Sequence, residues 1–344
     1  VVVVIRVLHV LCDLSAGGAE RLVLELCRRH APDIAPQVAT VAGLGALEEA
    51  FSAAGYAVKE GGRRRKHLGV GAAWRLARWM RGVDVVHTHL FAGDTWGRIA
   101  ARIGPNRPAV ITTEHNVNRD ETWQVYIKRA LASTGVLVAV SEAAARYAAD
   151  VEGIGPMRII PNGVDLTRFG PHIGGDGTRV LAIGRRVPQK GFDVLVDALP
   201  DGMVLDIAGD GPWTTLHPRT RLLGRREDIP ALLAQADVLA VPSRWEGYGL
   251  AAAEGLAAGV PVVASDVDGL REVVGDAGLL VPPEDPRALH AALVALRDDP
   301  ALRAALSVRG RERAHARLDI RDTIRAYEAL YREQAAARAA RLGT

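Results

Sequence analysis

Cysteine is scarce in this chain of 344 residues: only Cys12 and Cys27 occur, both near the N-terminus. Two thiols exclude the disulfide framework of a small secreted domain, and neither belongs to a metal-spaced pair, so a reduced, cytoplasmic setting is expected. Long apolar runs are missing as well. The opening VVVVIRVLHVL is interrupted by Arg6 and His9, is far shorter than a membrane span and lacks a cleavage-site flank, so it reads as a buried strand. Excess charge is also absent. The 43 Lys and Arg against 40 Asp and Glu leave a net charge of +3, which does not by itself indicate a nucleic-acid binder. Nor does a nicotinamide fingerprint stand out: LSAGGAERL and the GLG at Gly43–Gly45 are incomplete, without a downstream ribose acid in context.

What is present is an alternation of short β-branched runs with helix-period segments. Strands are expected at Val1–Leu11, Gln37–Val41, Asp84–His87, Ala109–Thr113 and Val136–Val140, then at Arg179–Ile183, Met203–Ala208, Asp237–Val241, Pro261–Ala264 and Gly278–Val281. Intervening helices include Gly18–His30 and Trp74–Met80. Such alternation predicts an α/β protein with two doubly wound, parallel-sheet domains. PNGVDLTRFGPHIGGDGT, rich in Gly and Pro, separates them. The expected division is residues 1–165, a linker at 166–178, residues 179–320, and a C-terminal helix at 321–344 packing back toward the first domain. The two domains are expected to face each other across a cleft, with functional loops at the carboxyl ends of strands.

Charged and glycine-bearing loops do follow those strands. GRRVPQKG places Arg185 and Lys190 where a planar fork and a point charge can meet a diphosphate. In AGDGP, Gly209 and Gly211 permit either close backbone approach to a ligand or a tight turn. RWEGYGLAAAE opens a helix whose free amides suit an anion, and Glu246 and Glu254 flank it. Because carboxylates repel phosphate, the two are expected to accept hydrogen bonds from sugar hydroxyls beside the anion. In the first half, Gly17 and Gly18 precede a helix. HTHLFAGD carries His87 near a strand end, His89 just past it and Asp94 beyond, and the two histidines are taken to face different sides, making poor joint metal ligands. TTEHN adds Glu114, His115 and Asn116. Asp266 and Asp268 have a DxD spacing, read here as a turn, and no metal is expected. Arg63–Arg81 contains seven cations and no acid, with Trp74 and Trp79 among them; it reads either as a membrane-facing segment or as a helix with a solvated basic face.

Taken together, GGAER, HTH, PNGVD, GRRVPQKG, AGDGP and EGYGLAAAEGLAAGVPVVASDVDGLREVV resemble the retaining glycosyltransferases of the GT-B fold, family 4, from about residue 6 to residue 320. The resemblance implies that Glu246 holds the transferred sugar, with Tyr248, Gly249 and Leu250 backbone near sugar and diphosphate, and that Glu254 binds the ribose. Arg185 and Lys190 would neutralise the diphosphate and His89 would sit at the reaction centre. Gly17, Gly18 and Gly209 would approach the phosphates, with His115, Asn116 and Asp94 on the acceptor side. It further implies a UDP-linked donor, no metal cofactor, and a hydroxyl acceptor on a lipid-linked or polysaccharide precursor, at the cytoplasmic face of the inner membrane. A small soluble acceptor, a UDP-sugar epimerase and a non-catalytic protein of the same fold are the alternatives. Two departures stand out. Only WTTLHPR separates Pro212 from TRLLG, where relatives have a helix, and Asp268 stands where they have Gly.

Overall fold

A computed structural model of the chain describes residues 3–15, 17–61, 70–115, 117 and 122–343. Two compact units emerge: Val1–Pro161 with Asp322–Thr344, and Asn162–Arg321.

The first unit is a seven-stranded sheet ordered β3-β2-β1-β4-β5-β6-β7, every neighbouring pair parallel. Its strands are β1 (Ile5–Leu11), β2 (Ile34–Thr40), β3 (Val58–Glu60), β4 (Val85–His89), β5 (Ala109–Glu114), β6 (Val136–Ala139) and β7 (Arg158–Ile159). The helices between them are α1 (Gly18–Arg28), α2 (Glu48–Ala53), α3 (Val70–Trp79), α4 (Leu90–Ile103), α5 (Thr122–Leu131) and α6 (Glu142–Asp150). Every residue of β4 is buried, as expected of a central strand covered on both faces. One apolar layer gathers Leu8, Val10 and Val86 with Leu76 and Met80; the other gathers Leu11, Leu14 and Val38 with Val23 and Phe51.

The second unit repeats the plan with six parallel strands ordered β10-β9-β8-β11-β12-β13. These are β8 (Arg179–Ile183), β9 (Val204–Ala208), β10 (Thr220–Gly224), β11 (Val238–Val241), β12 (Val262–Ser265) and β13 (Leu279–Val281). Around them run α7 (Phe192–Ala198), α8 (Ile229–Gln235), α9 (Leu250–Ala258), α10 (Asp268–Val274), α11 (Pro286–Asp298) and α12 (Pro300–Arg317). No helix joins β9 to β10. Instead Trp213 lies on Phe192, ring centroids 6.1 Å apart, and packs against the main core. One indole thus covers sheet surface that a crossover helix would otherwise shield, and Leu216 in the same connection is left 99% exposed.

The last helix, α13 (Ile320–Leu342), starts at the end of the second unit and completes the first. Tyr327 and Tyr331 are fully buried. The Tyr331 hydroxyl lies 2.7 Å from His87 Nδ1, and that of Tyr327 lies 3.0 Å from Thr113 Oγ1. Arg332 makes a two-pronged bond to Asp33 at 2.6 and 2.7 Å. Among the described residues no helix is long and apolar enough to cross a membrane.

Candidate active site

In each sheet the strand order reverses once, between β1 and β4 and between β8 and β11. The connections leave the sheet on opposite faces at such a switch point, which leaves a crevice beyond the carboxyl ends of the strands. The loops after β8 and β11 are sewn together there. The Arg244 amide donates to the Gln189 carbonyl at 2.8 Å, and Gln189 Nε2 donates to the Trp245 carbonyl at 3.0 Å. Arg244 reaches the Pro188 carbonyl, Asp193 and Glu284. Its guanidinium thus ties the loop after β11 to the loop after β8, to α7 and to the loop after β13.

Inside this frame Lys190 Nζ lies 2.5 Å from Glu246 Oε1, and the two side chains are only 18% and 10% exposed. Ser243 Oγ donates to the same Glu246 oxygen at 2.8 Å. Arg185 is exposed and has no ion pair among the described residues, whereas Arg186 turns inward to the Gly209 and Trp213 carbonyls. The two adjacent arginines therefore divide the work: one holds the loop, the other offers a free cation. Gly209 has φ 148°, and a Cβ there would lie 1.9 Å from the Gly184 carbonyl oxygen, so no side chain fits where the β8 and β9 loops meet. Gly249 has φ 102° and caps α9 without a side-chain hydrogen bond, so the first amides of that helix are left for an anion. Leu250 begins the helix and Glu254 sits half-buried one turn in. Tyr248 is buried and its phenol is pushed up by that burial, so the backbone is what this residue offers. Asp266 and Asp268 are each 2.7 Å from Arg271, which neutralises the DxD pair.

The corresponding loops of the first unit look different. Gly17 caps α1, and a Cβ there would meet the Glu20 carboxylate at 2.5 Å. Strand β4 runs on through His89, because its pairing with β5 continues to Thr113. That corrects the reading of His87 and His89 as facing different sides: residues two apart in a strand share a face, and the rings lie 4.0 Å apart. Both belong to a buried imidazole cluster. His115 Nε2 is 3.1 Å from His89 Nδ1, and His89 Nε2 is 3.2 Å from His9 Nδ1. Each contact needs one proton, which neutral imidazoles supply. His89 is closed to solvent, with both nitrogens engaged; His115 Nδ1 has no partner among the described residues. Nitrogens of His9, His87 and His89 lie within 4.8 Å of one another, a spacing one ion can bridge, but both His87 nitrogens already bond Tyr331 and Thr113. Leu90, with φ 59°, makes the abrupt passage from β4 into α4. Asp94, expected on the acceptor side, is instead turned into the interior. It is 5% exposed, and its Oδ1 accepts from Thr88, Thr112 and Arg98. Glu114 is tied to Lys128 at 2.7 Å, and burial raises its pKa against that pairing. Asn116 and Arg63–Lys66 lie outside the described residues.

Burial holds His9 and His115 at a pKa of about 3 and pushes His87 and His89 well below the ordinary imidazole value of 6.5. The folded chain therefore binds fewer protons than the unfolded chain between these limits. Stability is full above pH 6.5 and declines as the pH falls. The melting temperature is expected to drop steeply from about pH 6.5 to 5, before most carboxylates titrate. The drop should be shallower in His9→Gln. A midpoint unchanged over that range would exclude the imidazole cluster as its source.

Residues 16–168 match the family model described as Glycosyltransferase Family 4, and residues 177–299 the one described as Glycosyl transferases group 1. Over 289 residues the chain is 32% identical to the phosphatidyl-myo-inositol mannosyltransferase of Mycolicibacterium smegmatis, covering 73% of this chain and 72% of that protein. The chain belongs to the family 4 glycosyltransferases. Another relative of this family 4 glycosyltransferase is the Escherichia coli UDP-Gal:alpha-D-GlcNAc-diphosphoundecaprenol alpha-1,3-galactosyltransferase, 31% identical over 64% of this chain and 67% of that one. The fold is GT-B. It superposes on Anabaena Alr3699/HepE, solved in complex with UDP and glucose, with a TM-score of 0.83 at 20% identity, covering 94% and 98% of the two chains. Sucrose-phosphate synthase from Thermosynechococcus elongatus gives 0.84 at 23%, covering 97% and 100%.

The family 4 motifs found in the sequence thus separate in space. Arg185, Lys190, Glu246, Gly249 and Glu254 gather at the second unit's switch point, while His89 and Asp94 are internal to the first. Ser243, Arg244 and Gln189 were not anticipated. Their signal was modest: polar residues at a strand end, immediately before or after the recognised charges.

Proposed function

We propose that this glycosyltransferase moves a hexose from a UDP-linked donor to a hydroxyl of a lipid-linked or polysaccharide precursor, with retention at the anomeric carbon. The observation that carries the reading is the arrangement at the second switch point: a free Arg185, the Lys190–Glu246 pair, and the glycine-opened start of α9. Arg185 and Lys190 take the charge of the departing diphosphate, so no metal ion is required. Glu246 accepts hydrogen bonds from the sugar's hydroxyls and Glu254 from the ribose. The bond between anomeric carbon and phosphate oxygen breaks as the acceptor oxygen bonds on the same face, and its proton passes to the leaving phosphate. Electrostatic stabilisation of that phosphate is then the main catalytic contribution. The names of the mannosyl- and galactosyltransferase relatives support a lipid-borne acceptor, and the UDP seen in the Anabaena structure supports the nucleotide. α3 buries Ala72, Ala73, Leu76 and Ala77 while Trp74, Arg75 and Arg78 stay exposed, a face suited to peripheral contact with anionic lipid.

The test is a panel of nucleotide sugars scored by thermal stabilisation, followed by transfer from the best donor to a polyprenyl-diphosphate sugar in anionic liposomes. A UDP-sugar should stabilise the protein, and the product should keep the donor's anomeric configuration by NMR. Inversion, or conversion of donor at the same rate without acceptor, would overturn the proposal.

A further inference from the structure

At the other end of the first sheet, where β5 and β6 begin, a pocket of about 690 Å³ opens between α4, the start of those strands and the end of α13. Arg98, Arg102, Arg107 and Arg341 line it together with the Ser133 and Thr134 hydroxyls, and no carboxylate lines it among the described residues. Other arginines of the chain are matched to acids, as Arg221 is to Asp206 and Arg332 to Asp33. Arg102, Arg107 and Arg341 are exposed and have no ion pair among the described residues. Arg98 is nearly fully buried and already paired with Asp94; it donates to Thr134 Oγ1 at 3.2 Å, whose own proton goes to the Leu131 carbonyl, so the two fix one wall and are not offered to a ligand. Arg107 is held at φ 40°, a conformation that costs energy for a non-glycine residue and aims a short loop at the pocket rim.

We propose that this pocket binds a phosphate-bearing anion. The three unpaired guanidinium forks of Arg102, Arg107 and Arg341, with the Ser133 hydroxyl and no carboxylate lining the pocket among the described residues, form a donor set matched to phosphate oxygens, not to an uncharged sugar. The β5 strand is six residues long, so its two ends lie roughly 17 Å apart. The pocket is therefore distinct from the loops after β4 and β5, and it belongs to a different unit from Arg185 and Lys190. A free phosphate compound and a phospholipid headgroup offer the same chemistry.

The experiment uses inorganic pyrophosphate at constant ionic strength on the full chain carrying Arg185→Ala and Lys190→Ala, which removes the phosphate-binding candidates of the second unit. Pyrophosphate should raise the melting temperature. Adding Arg102→Gln and Arg341→Gln should weaken its half-saturation about tenfold or more, with the ligand-free melting temperature preserved because both residues are exposed. Phosphatidylglycerol vesicles form the second arm. If the added substitutions weaken pyrophosphate and leave vesicle retention unchanged, the ligand is a free phosphate compound; if both are lost, it is a headgroup. A pyrophosphate shift equal with and without the added substitutions, or no shift at all, would overturn the proposal.

Discussion

Lys190→Ala should lower the transfer rate by about 10²–10³-fold, the size expected when a positive group facing developing phosphate charge is removed. The structure gives the substitution two separable effects. Lys190 is the cation paired with Glu246, whose side chain is 10% exposed and is otherwise bonded only by the Ser243 hydroxyl among the contacts seen. Removing it leaves a largely buried carboxylate without its charge partner, which loosens the loop after β11 as well as depleting charge at the diphosphate. Pairing the change with Glu246→Gln removes the stranded charge, so stability should recover while the rate stays low. Measuring kcat, KM and melting temperature for the single and double variants separates the effects. A wild-type rate in the single variant, or a rate that recovers along with stability, would make Lys190 a structural counter-ion only.

Asp94→Ala should cost about 3–5 kcal/mol of stability, the range for breaking a buried ion pair by deleting one partner. Arg98 is 2% exposed, and its Nε lies 2.5 Å from Asp94 and 2.9 Å from Thr112, while Nη1 reaches Leu131 and Thr134. Without the carboxylate, the guanidinium is left charged in the interior. The lost bonds also release the Thr88 and Thr112 hydroxyls that tie β4 to β5. A double replacement, Asp94→Leu with Arg98→Met, should regain most of the loss because no uncompensated charge remains. Urea unfolding of the three proteins provides the measurement, with specific activity of the folded fraction as a second readout. Unchanged stability with lost transfer in Asp94→Ala would reinstate an acceptor-side role for this carboxylate.

Those two residues also show what the sequence could and could not disclose. Lys190 was legible because its meaning depends on local order: a strand, a glycine-bearing loop and a helix follow one another, and a cation at that point faces the strand ends whatever the rest of the chain does. The same holds for Gly209, whose crowding against Gly184 comes from adjacent strands. Asp94 was not legible. Its partners Thr88, Thr112 and Arg98 lie on β4, β5 and α4, and only the register between strands shows that they converge on one oxygen. His89 fell between these cases. Its position at the end of β4 was foreseen within two residues, but its neighbours His9 and His115 come from β1 and from the loop after β5, and the direction of its ring depended on how far the strand continued. The shortened connection after Pro212 was legible as a departure from the family pattern that the sequence resembles, whereas the part Trp213 plays in covering the sheet depends on Phe192, twenty-one positions earlier.

The placement of α13 has a consequence for the order in which the protein can be finished on the ribosome. Synthesis makes the first unit's strands first, yet that unit lacks Tyr327 and Tyr331 until the second unit has been made. Until then His87 Nδ1 has no hydroxyl to meet, Asp33 has no arginine, and the apolar walls around both tyrosines face water. The second unit carries no such debt to later sequence, because its last residue is Arg321. The unit whose strands are made first is thus sealed only after the other has been made, and its imidazole-rich interior stays open until then.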